Sequence, residues 1–366
     1  MPNRRSRVLY FYRMGRLKRL IWLISFLCAC GLLVVSGSAQ LHQLVSARSE
    51  APFFLALSFF WAIPTSLITL MAGYQIEWLL VGWSHSSLKL LWEGRASVKL
   101  DALSIAMNFL PHRLLGYVLS LGLLYVIDTH AAQTTSISIT PYLPSWGIQI
   151  ACVLLFQSFI SYWLHRLEHS IPALWALHKF HHSADRMSIL TSERQTDLMK
   201  GVEETVRFLP YALVAESGIS KPAPGNAAFI LVVAYFAYRT FLRVNGYLVH
   251  SNLSTDYGWV GRWLLVSPRM HRLHHATSAE YHNKNFTFDF VLWDRLFGTY
   301  ATCKSSAVEH ISLGLDDNPF NGDKTAKAVL RNYFLTPYIV FFQALRAGFG
   351  AWLPARFTAG RKSVVF

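Results

Sequence analysis

The chain has 366 residues, of which 53% are hydrophobic and 15% are charged, and its formal net charge is +14. Soluble globular domains carry about 25% charged residues, so this composition argues against a soluble protein and favours an integral membrane protein. The basic residues flank apolar segments and do not alternate with aromatic residues, which argues against a nucleic-acid partner and favours anionic lipid head groups. The four cysteines lack the spacing of a zinc knuckle or a disulfide framework, so neither is indicated.

The amino-terminal part of the chain has the pattern of a membrane anchor. Seven basic residues and no acidic residue precede the apolar run 20–35, so the positive-inside rule places the amino terminus in the cytoplasm. A cleaved signal peptide is the alternative, but the basic region is long and further apolar segments follow at 53–80 and 103–127. We therefore predict that residues 1–141 form a membrane anchor with about three transmembrane helices.

The rest of the chain contains one more predicted span, two shorter apolar segments and a carboxyl-terminal segment that mixes apolar and basic residues. Residues 128–146 contain no Lys or Arg, as in an outer loop, and 147–164 would return to the cytoplasm. The segments 206–215 and 227–242 flank the turn-forming stretch GISKPAPGN and predict a helical hairpin that dips into the membrane. Residues 330–353 predict one interfacial helix. The predicted fold is an all-α integral membrane bundle of about four spans plus this hairpin, with a cytoplasmic histidine-rich cap.

Three short histidine motifs form the strongest functional signal. They are HRLEH at 165–169, HKFHH at 178–182 and HRLHH at 271–275. Residues three or four apart share a helix face, so each motif presents its histidines together. Their eight imidazoles suffice for two first-row metal ions, whereas a closed zinc site needs only four ligands. The Glu-x-x-His pattern of soluble di-iron bundles is absent.

The motifs and their flanks resemble the membrane-bound fatty acid hydroxylase and sterol desaturase superfamily. The similarity includes HSADRMSILTSERQ after the second motif, HSN at 250–252, SPRMHRLHH, HNKNF and LWDRLFGTY at 292–300. It implies a hydroxylase-like histidine-box domain at 142–301, followed by a polar segment and an interfacial helix at 302–366. It also implies a centre of two iron ions, with zinc possible in the purified protein, and dioxygen as co-substrate.

By this resemblance nine histidines are expected to bind metal, and two further residues are weaker candidates. The nine are His165, His169, His178, His181, His182, His250, His271, His274 and His275, and the weaker candidates are Asn252 and His282. Where the family has an aspartate shortly before the first motif, this chain has Ser158, so an orienting acid is either missing or replaced by Glu168. Asp294 and Arg295 are expected to form a structural ion pair or to support a metal ligand, and not to take part in the chemistry.

The resemblance predicts an enzyme that oxidises an alkyl chain of a membrane lipid, most simply by C–H hydroxylation of a fatty acyl or sterol substrate. A desaturase is the alternative within the superfamily, and a zinc-dependent hydrolase or a non-catalytic metal protein are alternatives outside it. No haem-binding or flavin-binding pattern is visible, so electrons are expected from a separate ferredoxin, cytochrome or reduced pterin. Both termini and the metal site are expected on the cytoplasmic side of the membrane.

Overall fold

The computed structural model describes residues 51–94, 96–108, 118–119, 122, 125–126, 146–214, 227–304, 307–320 and 325–352. In these ranges the secondary structure is helical apart from two isolated β-bridges, which confirms the all-α prediction for them. The α-helices are α1 Ala51–Val81, α2 Ser87–Trp92, α3 Ala96–Asn108, α4 Trp146–Ser170, α5 Pro172–His182, α6 Asp197–Val214, α7 Ala227–His250, α8 Trp259–Trp263, α9 Pro268–His274, α10 Leu292–Leu296, α11 Ala326–Phe334 and α12 Thr336–Trp352. Short 3₁₀ helices include Trp83–His85, Ile189–Glu193, Ala279–Tyr281 and Val308–His310.

Proline fixes the start of both short helices that carry a histidine motif. Pro172 opens α5 and Pro268 opens α9, and proline suits the first helical position because the N–H it lacks would have no partner inside the helix. Ser267 caps α9 with its side chain, which accepts a hydrogen bond from the Met270 amide. The local sequence therefore determines where these two helices begin.

The motif-bearing helices are held by contacts with longer helices. α5 packs against α4 and α12, while α7 packs against α1, α4 and α9. Phe180 of α5 is fully buried in one apolar cluster with Leu100, Phe320 and Tyr333. A second apolar cluster joins α7 to α9 through Val249, Val266, Met270 and Val291. These two cores fix the second and third motifs relative to the rest of the bundle.

The predicted apolar segments that fall on described residues lie in helices. The predicted spans 53–80 and 147–164 lie within α1 and α4, whereas 20–35 lies outside the described residues and 103–127 lies mostly outside them. Both arms of the predicted hairpin belong to longer helices, α6 and α7, because the helical sequence continues into polar residues. None of the helices in the described ranges is both long and apolar enough to cross a lipid bilayer.

The carboxyl-terminal segment differs from its prediction. Instead of one helix over 330–353, the structure has α11 and α12, with Leu335 between them. Pro337 has no N–H to continue the hydrogen-bond ladder of α11, so the helix ends and a new one starts at Thr336. The break lets α11 pack against α3 while α12 packs against α5.

Candidate metal centre

All nine histidines of the predicted set lie together in two adjacent clusters. Within each cluster the potential ligand atoms all lie within 4.8 Å of one another. The first cluster consists of His165, His169, His178, His182 and His274, and the second cluster consists of His181, His250, His271 and His275. The clusters touch where the rings of His182 and His275 stack, with centroids 4.3 Å apart. The three motifs and His250 therefore form a single site with room for two metal ions.

Helix geometry explains how each motif is divided between the clusters. In α5, His178 and His182 are four residues apart and point to the first cluster, while His181 points to the second. The third motif shows the inverse division, because His271 and His275 join the second cluster and His274 joins the first. The spacing His-x-x-His-His thus lets one turn of helix serve two neighbouring sites.

Four helices end at this centre. His169 lies in the last turn of α4, His181 in that of α5, His250 closes α7 and His274 closes α9. The carbonyl end of a helix carries a partial negative charge, which favours a bound cation there. The fold therefore directs four favourable dipoles toward the two clusters.

Backbone carbonyls orient four of the imidazoles. Nδ1 donates to a carbonyl oxygen in each case, at 2.6 Å for His165 to Phe286, 3.2 Å for His181 to Arg194, 2.7 Å for His250 to Gly246 and 2.7 Å for His274 to Lys284. A carbonyl oxygen can only accept, so the proton resides on Nδ1 and Nε2 presents its lone pair. Because these acceptors are main-chain atoms, no sequence motif specifies them.

The facing lone pairs identify a cation site. Nε2 of His181 lies 3.2 Å from Nε2 of His250, although the hydrogen bonds described above leave both atoms without a proton. Nε2 of His165 and Nε2 of His178 face each other at 3.1 Å in the first cluster. Two lone pairs at this distance repel in a buried site unless a positive charge lies between them. Each cluster thus has the electronic arrangement of a metal-binding site.

The spacing between the nitrogen atoms also fits a metal ion. Bonds of about 2.1 Å to a metal hold neighbouring nitrogens about 3.0 Å apart at a right angle and about 3.4 Å apart at a tetrahedral angle. In the second cluster the Nε2 atoms of His250, His271 and His275 follow one another at 2.8 and 3.2 Å. The residues present therefore fit a first-row metal ion in size and in donor chemistry.

Burial keeps eight of the nine imidazoles neutral. It lowers the pKa of His250 to about 4 and that of His274 to about 3, and the hydrogen bonds to carbonyl oxygens only partly oppose this effect. Burial, followed by repulsion from neighbouring imidazoles, also holds the pKa of six other members well below the usual value. Neutral imidazole is the form that binds metal, so these eight histidines are held in the protonation state that binds a metal ion.

The two weaker candidates lie outside both clusters. Asn252 donates from Nδ2 to the carbonyl of His85 at 3.0 Å, and its Oδ1 accepts from Arg272 at 3.1 Å. His282 is exposed, and its Nε2 lies 3.0 Å from the carbonyl oxygen of Thr277. Asn252 is thus occupied in joining two loops, and the chain after the 3₁₀ helix Ala279–Tyr281 turns His282 toward solvent. The family resemblance suggested both residues as weaker candidates, and neither contacts the two clusters through these hydrogen bonds.

Glu168 contacts a cluster histidine from inside the first motif. Its Oε2 lies 2.8 Å from Nδ1 of His178, and both side chains are 1% exposed. This contact favours a proton on Nδ1 of His178 and directs its Nε2 toward the cluster. Ser158 instead donates to Asp289, which also accepts from Tyr238, so position 158 contacts a neighbouring loop and not the centre. Of the two options left by the sequence, the structure places Glu168 in the orienting position.

We expect Glu168→Gln to weaken metal binding by the first cluster by about 10- to 100-fold, as is typical when a group that orients a ligand is lost. The amide keeps the volume of the carboxylate but removes its charge, so His178 is held less firmly in the required tautomer. A competition titration against a chelator measures the affinity. Glu280→Gln, on an exposed 3₁₀ helix, is the matched control, and equal affinities in the two variants would contradict the role of Glu168.

Asp294 supports the loop that orients the first cluster. Its carboxylate accepts hydrogen bonds from the amides of Phe286 and Thr287 and from the Thr299 hydroxyl. This fixes the Phe286 carbonyl to which His165 donates. Arg295 instead donates to the Arg262 carbonyl and lies over the ring of Trp263 at 4.1 Å. Asp294 thus supports a residue that orients a cluster histidine, whereas Arg295 contacts a different segment and forms no described ion pair with Asp294.

Comparison with known proteins identifies the segment that carries the centre. Residues 150–299 match the family model Fatty acid hydroxylase. Alkylglycerol monooxygenase of Caenorhabditis elegans is 26% identical over 168 residues, which cover 46% of this chain and 30% of that protein. Ornithine lipid hydroxylase OlsE of Rhizobium tropici is 28% identical over 154 residues, 42% of each chain. Human alkylglycerol monooxygenase is 26% identical over 139 residues, 38% of this chain and 27% of that protein.

The chain spans less than half the length of these curated relatives. No solved structure matches it significantly. The matched segment begins in α4 and ends after α10, so it contains both clusters. The similarity to the fatty acid hydroxylase family therefore lies in the segment 150–299, which is less than half of this chain.

Proposed function

We propose that this protein is a membrane-bound di-iron enzyme that uses dioxygen to hydroxylate an alkyl chain of a lipid. The observation that carries the proposal is the pair of buried clusters composed entirely of imidazole ligands, inside the segment that matches the family. Nine ligands exceed what one closed zinc site requires. Imidazole binds several first-row metals, and iron is the one among them whose redox chemistry suits the family.

The first cluster would hold one ion through its five histidines and the second cluster would hold the other through its four. When bound, the iron pair would supply the redox chemistry that activates dioxygen for attack on an unactivated C–H bond. Glu168 and the carbonyls of Phe286, Lys284, Gly246 and Arg194 would keep the imidazoles in the ligating tautomer. The chain itself therefore contributes orientation and protonation state.

Aromatic side chains support exclusion of water from the centre. The ring of Phe288 stacks on His165 with centroids 4.5 Å apart, and Trp175 packs against His169 at 5.0 Å. Phe286 is buried against His165, His169 and His274. An apolar wall of this kind limits unproductive access of water to an oxidising centre.

We place the centre and both termini on the cytoplasmic side of the membrane. The excess of basic residues before the first apolar run and the absence of Lys and Arg from 128–146 support this placement. Electrons would then come from a cytoplasmic donor such as a ferredoxin, a cytochrome or a reduced pterin. A reporter fused after Phe366 should be active in the cytoplasm, and activity only outside it would contradict the topology.

Labelled dioxygen tests the reaction itself. Purified protein loaded with iron and supplied with a reductant should insert one labelled oxygen atom into a lipid hydroxyl, and activity should stop without oxygen. A new double bond with oxygen consumption would identify a desaturase instead. Product oxygen derived only from water, with activity that persists without oxygen, would identify a metal hydrolase and refute the proposal. Bound metal without oxygen consumption for any lipid would indicate a non-catalytic protein.

A further inference from the structure

A polar chamber adjoins the second cluster. It is a cavity of about 150 Å³ between α4, α6, α7 and the 3₁₀ helix Ile189–Glu193, and His250 and His271 form part of its wall. A cavity of this size can hold about six non-hydrogen atoms, since an engineered cavity of similar volume takes up benzene. The chamber is thus large enough for a small organic group directly beside the metal ligands.

The chamber wall carries several charged side chains. Glu193 and Lys200 form an ion pair at 3.4 Å, and these side chains are only 10% and 13% exposed. Glu203 is 1% exposed and accepts a hydrogen bond of 2.6 Å from Nε2 of Gln195. Arg243 also lines the chamber. A hydrocarbon placed here would remove water from these groups without replacing their hydrogen bonds, which is unfavourable. The group that occupies the chamber must therefore be polar.

One hydrogen-bond acceptor in the chamber wall is available for a donor group of a ligand. Gln195 is 6% exposed, and its Oε1 accepts no hydrogen bond from any described residue. Buried polar atoms in proteins are almost always paired, and a site built to hydrogen-bond a ligand leaves such an atom for it. The neighbouring Glu203 carboxylate adds negative charge to the same side of the chamber. Both features favour a ligand group that donates hydrogen bonds.

We propose, resting on the proposed function, that the chamber binds the polar head group of the lipid substrate, which donates hydrogen bonds from hydroxyl or ammonium groups to Gln195 and Glu203. Such a head group would place its own nearest carbon atoms beside His250 and His271. The oxidised carbon would then lie within about six bonds of the head group, because the chamber holds only about six atoms. The chamber thus sets both the class of lipid and the position of attack.

Equilibrium binding to the metal-loaded full-length protein in detergent, without oxygen or reductant, tests this assignment. Three probes share one C16 chain: 1-O-hexadecylglycerol offers hydroxyls, hexadecylamine offers an ammonium group, and hexadecyl methyl ether offers no donor. At least one donor probe should bind at least about tenfold more tightly than the methyl ether. Gln195→Leu should abolish this preference, whereas Gln343→Leu, on an exposed position of α12, should keep it.

A second variant distinguishes the two head-group chemistries. Glu203→Gln removes the negative charge but keeps an acceptor, so it should weaken binding of hexadecylamine if the ammonium group is the ligand. It should leave 1-O-hexadecylglycerol nearly unaffected if hydroxyls are the ligand. Metal content, measured in each variant, must equal that of the wild type, which ensures that a loss of binding is not a loss of fold.

Equal affinity of all three probes, or a preference that survives in Gln195→Leu, would overturn the inference. Oxidation of a lipid more than about six bonds from its head group would also overturn it, while leaving the proposed function intact. Conversely, a failure to detect oxygen-dependent oxidation would remove the proposed function without changing the measured affinities. The binding experiment therefore tests the chamber assignment, and the turnover experiment tests the proposed function separately.

Discussion

His274→Ala and His181→Ala should each reduce bound metal from two ions to about one and lower oxygenase activity more than about 100-fold, a larger effect than the loss of an orienting partner. His274 belongs to the first cluster and His181 to the second, so each variant removes a ligand from a different ion. Elemental analysis of purified protein measures the metal, and oxygen consumption measures activity. The two variants should lose different ions, which a spectroscopic probe of each metal environment would distinguish.

His85→Ala is the matched control for these substitutions. His85 is exposed, its Nδ1 contacts the Ser84 hydroxyl, and it belongs to neither cluster. The variant should keep wild-type metal content and activity. Two ions per chain in both cluster variants, with unchanged activity, would refute the assignment of these histidines as ligands.

Acid should unfold the metal-free protein over about one pH unit below pH 6.5. Eight of the nine cluster histidines have a pKa lowered by burial, so below pH 6.5 the unfolded chain binds protons that the folded chain does not. The free energy of unfolding is therefore highest above this pH and decreases as the pH falls below it. Each such histidine lowers the free energy of unfolding by up to about 1.4 kcal/mol for each pH unit below about pH 6.5. The eight together therefore remove on the order of 10 kcal/mol per pH unit. A typical protein has a total stability of only about 5–15 kcal/mol.

Helical content followed by circular dichroism against pH, after removal of metal by a chelator, measures this transition. Metal-loaded protein is the control and should withstand lower pH, because ligand binding stabilises the folded state that carries the site. Metal-free protein that remains as stable at pH 5 as at pH 8 would show that the imidazoles take up protons without unfolding. That result would contradict the burial of the two clusters.

The sequence by itself determined the chemistry of the centre. The spacing of HRLEH, HKFHH and HRLHH identified eight of the nine clustered histidines, and the HSN motif identified His250. Periodicity suffices here because residues three or four apart must share a helix face whatever the tertiary fold. Local sequence also sets the starts of α5 and α9, because Pro172 and Pro268 occupy their first positions.

Only the tertiary structure decided how these residues are distributed and supported. Which histidine belongs to which cluster depends on how α4, α5, α7 and α9 cross, and no local pattern encodes a crossing angle. The same limit applies to Asn252 and His282, which the resemblance offered as weaker candidates but which contact other partners. It applies to the chamber too, since Gln195 and Glu203 meet His250 there only because distant helices pack together. Long-range packing and main-chain acceptors therefore complete a site whose ligands the local sequence had already specified.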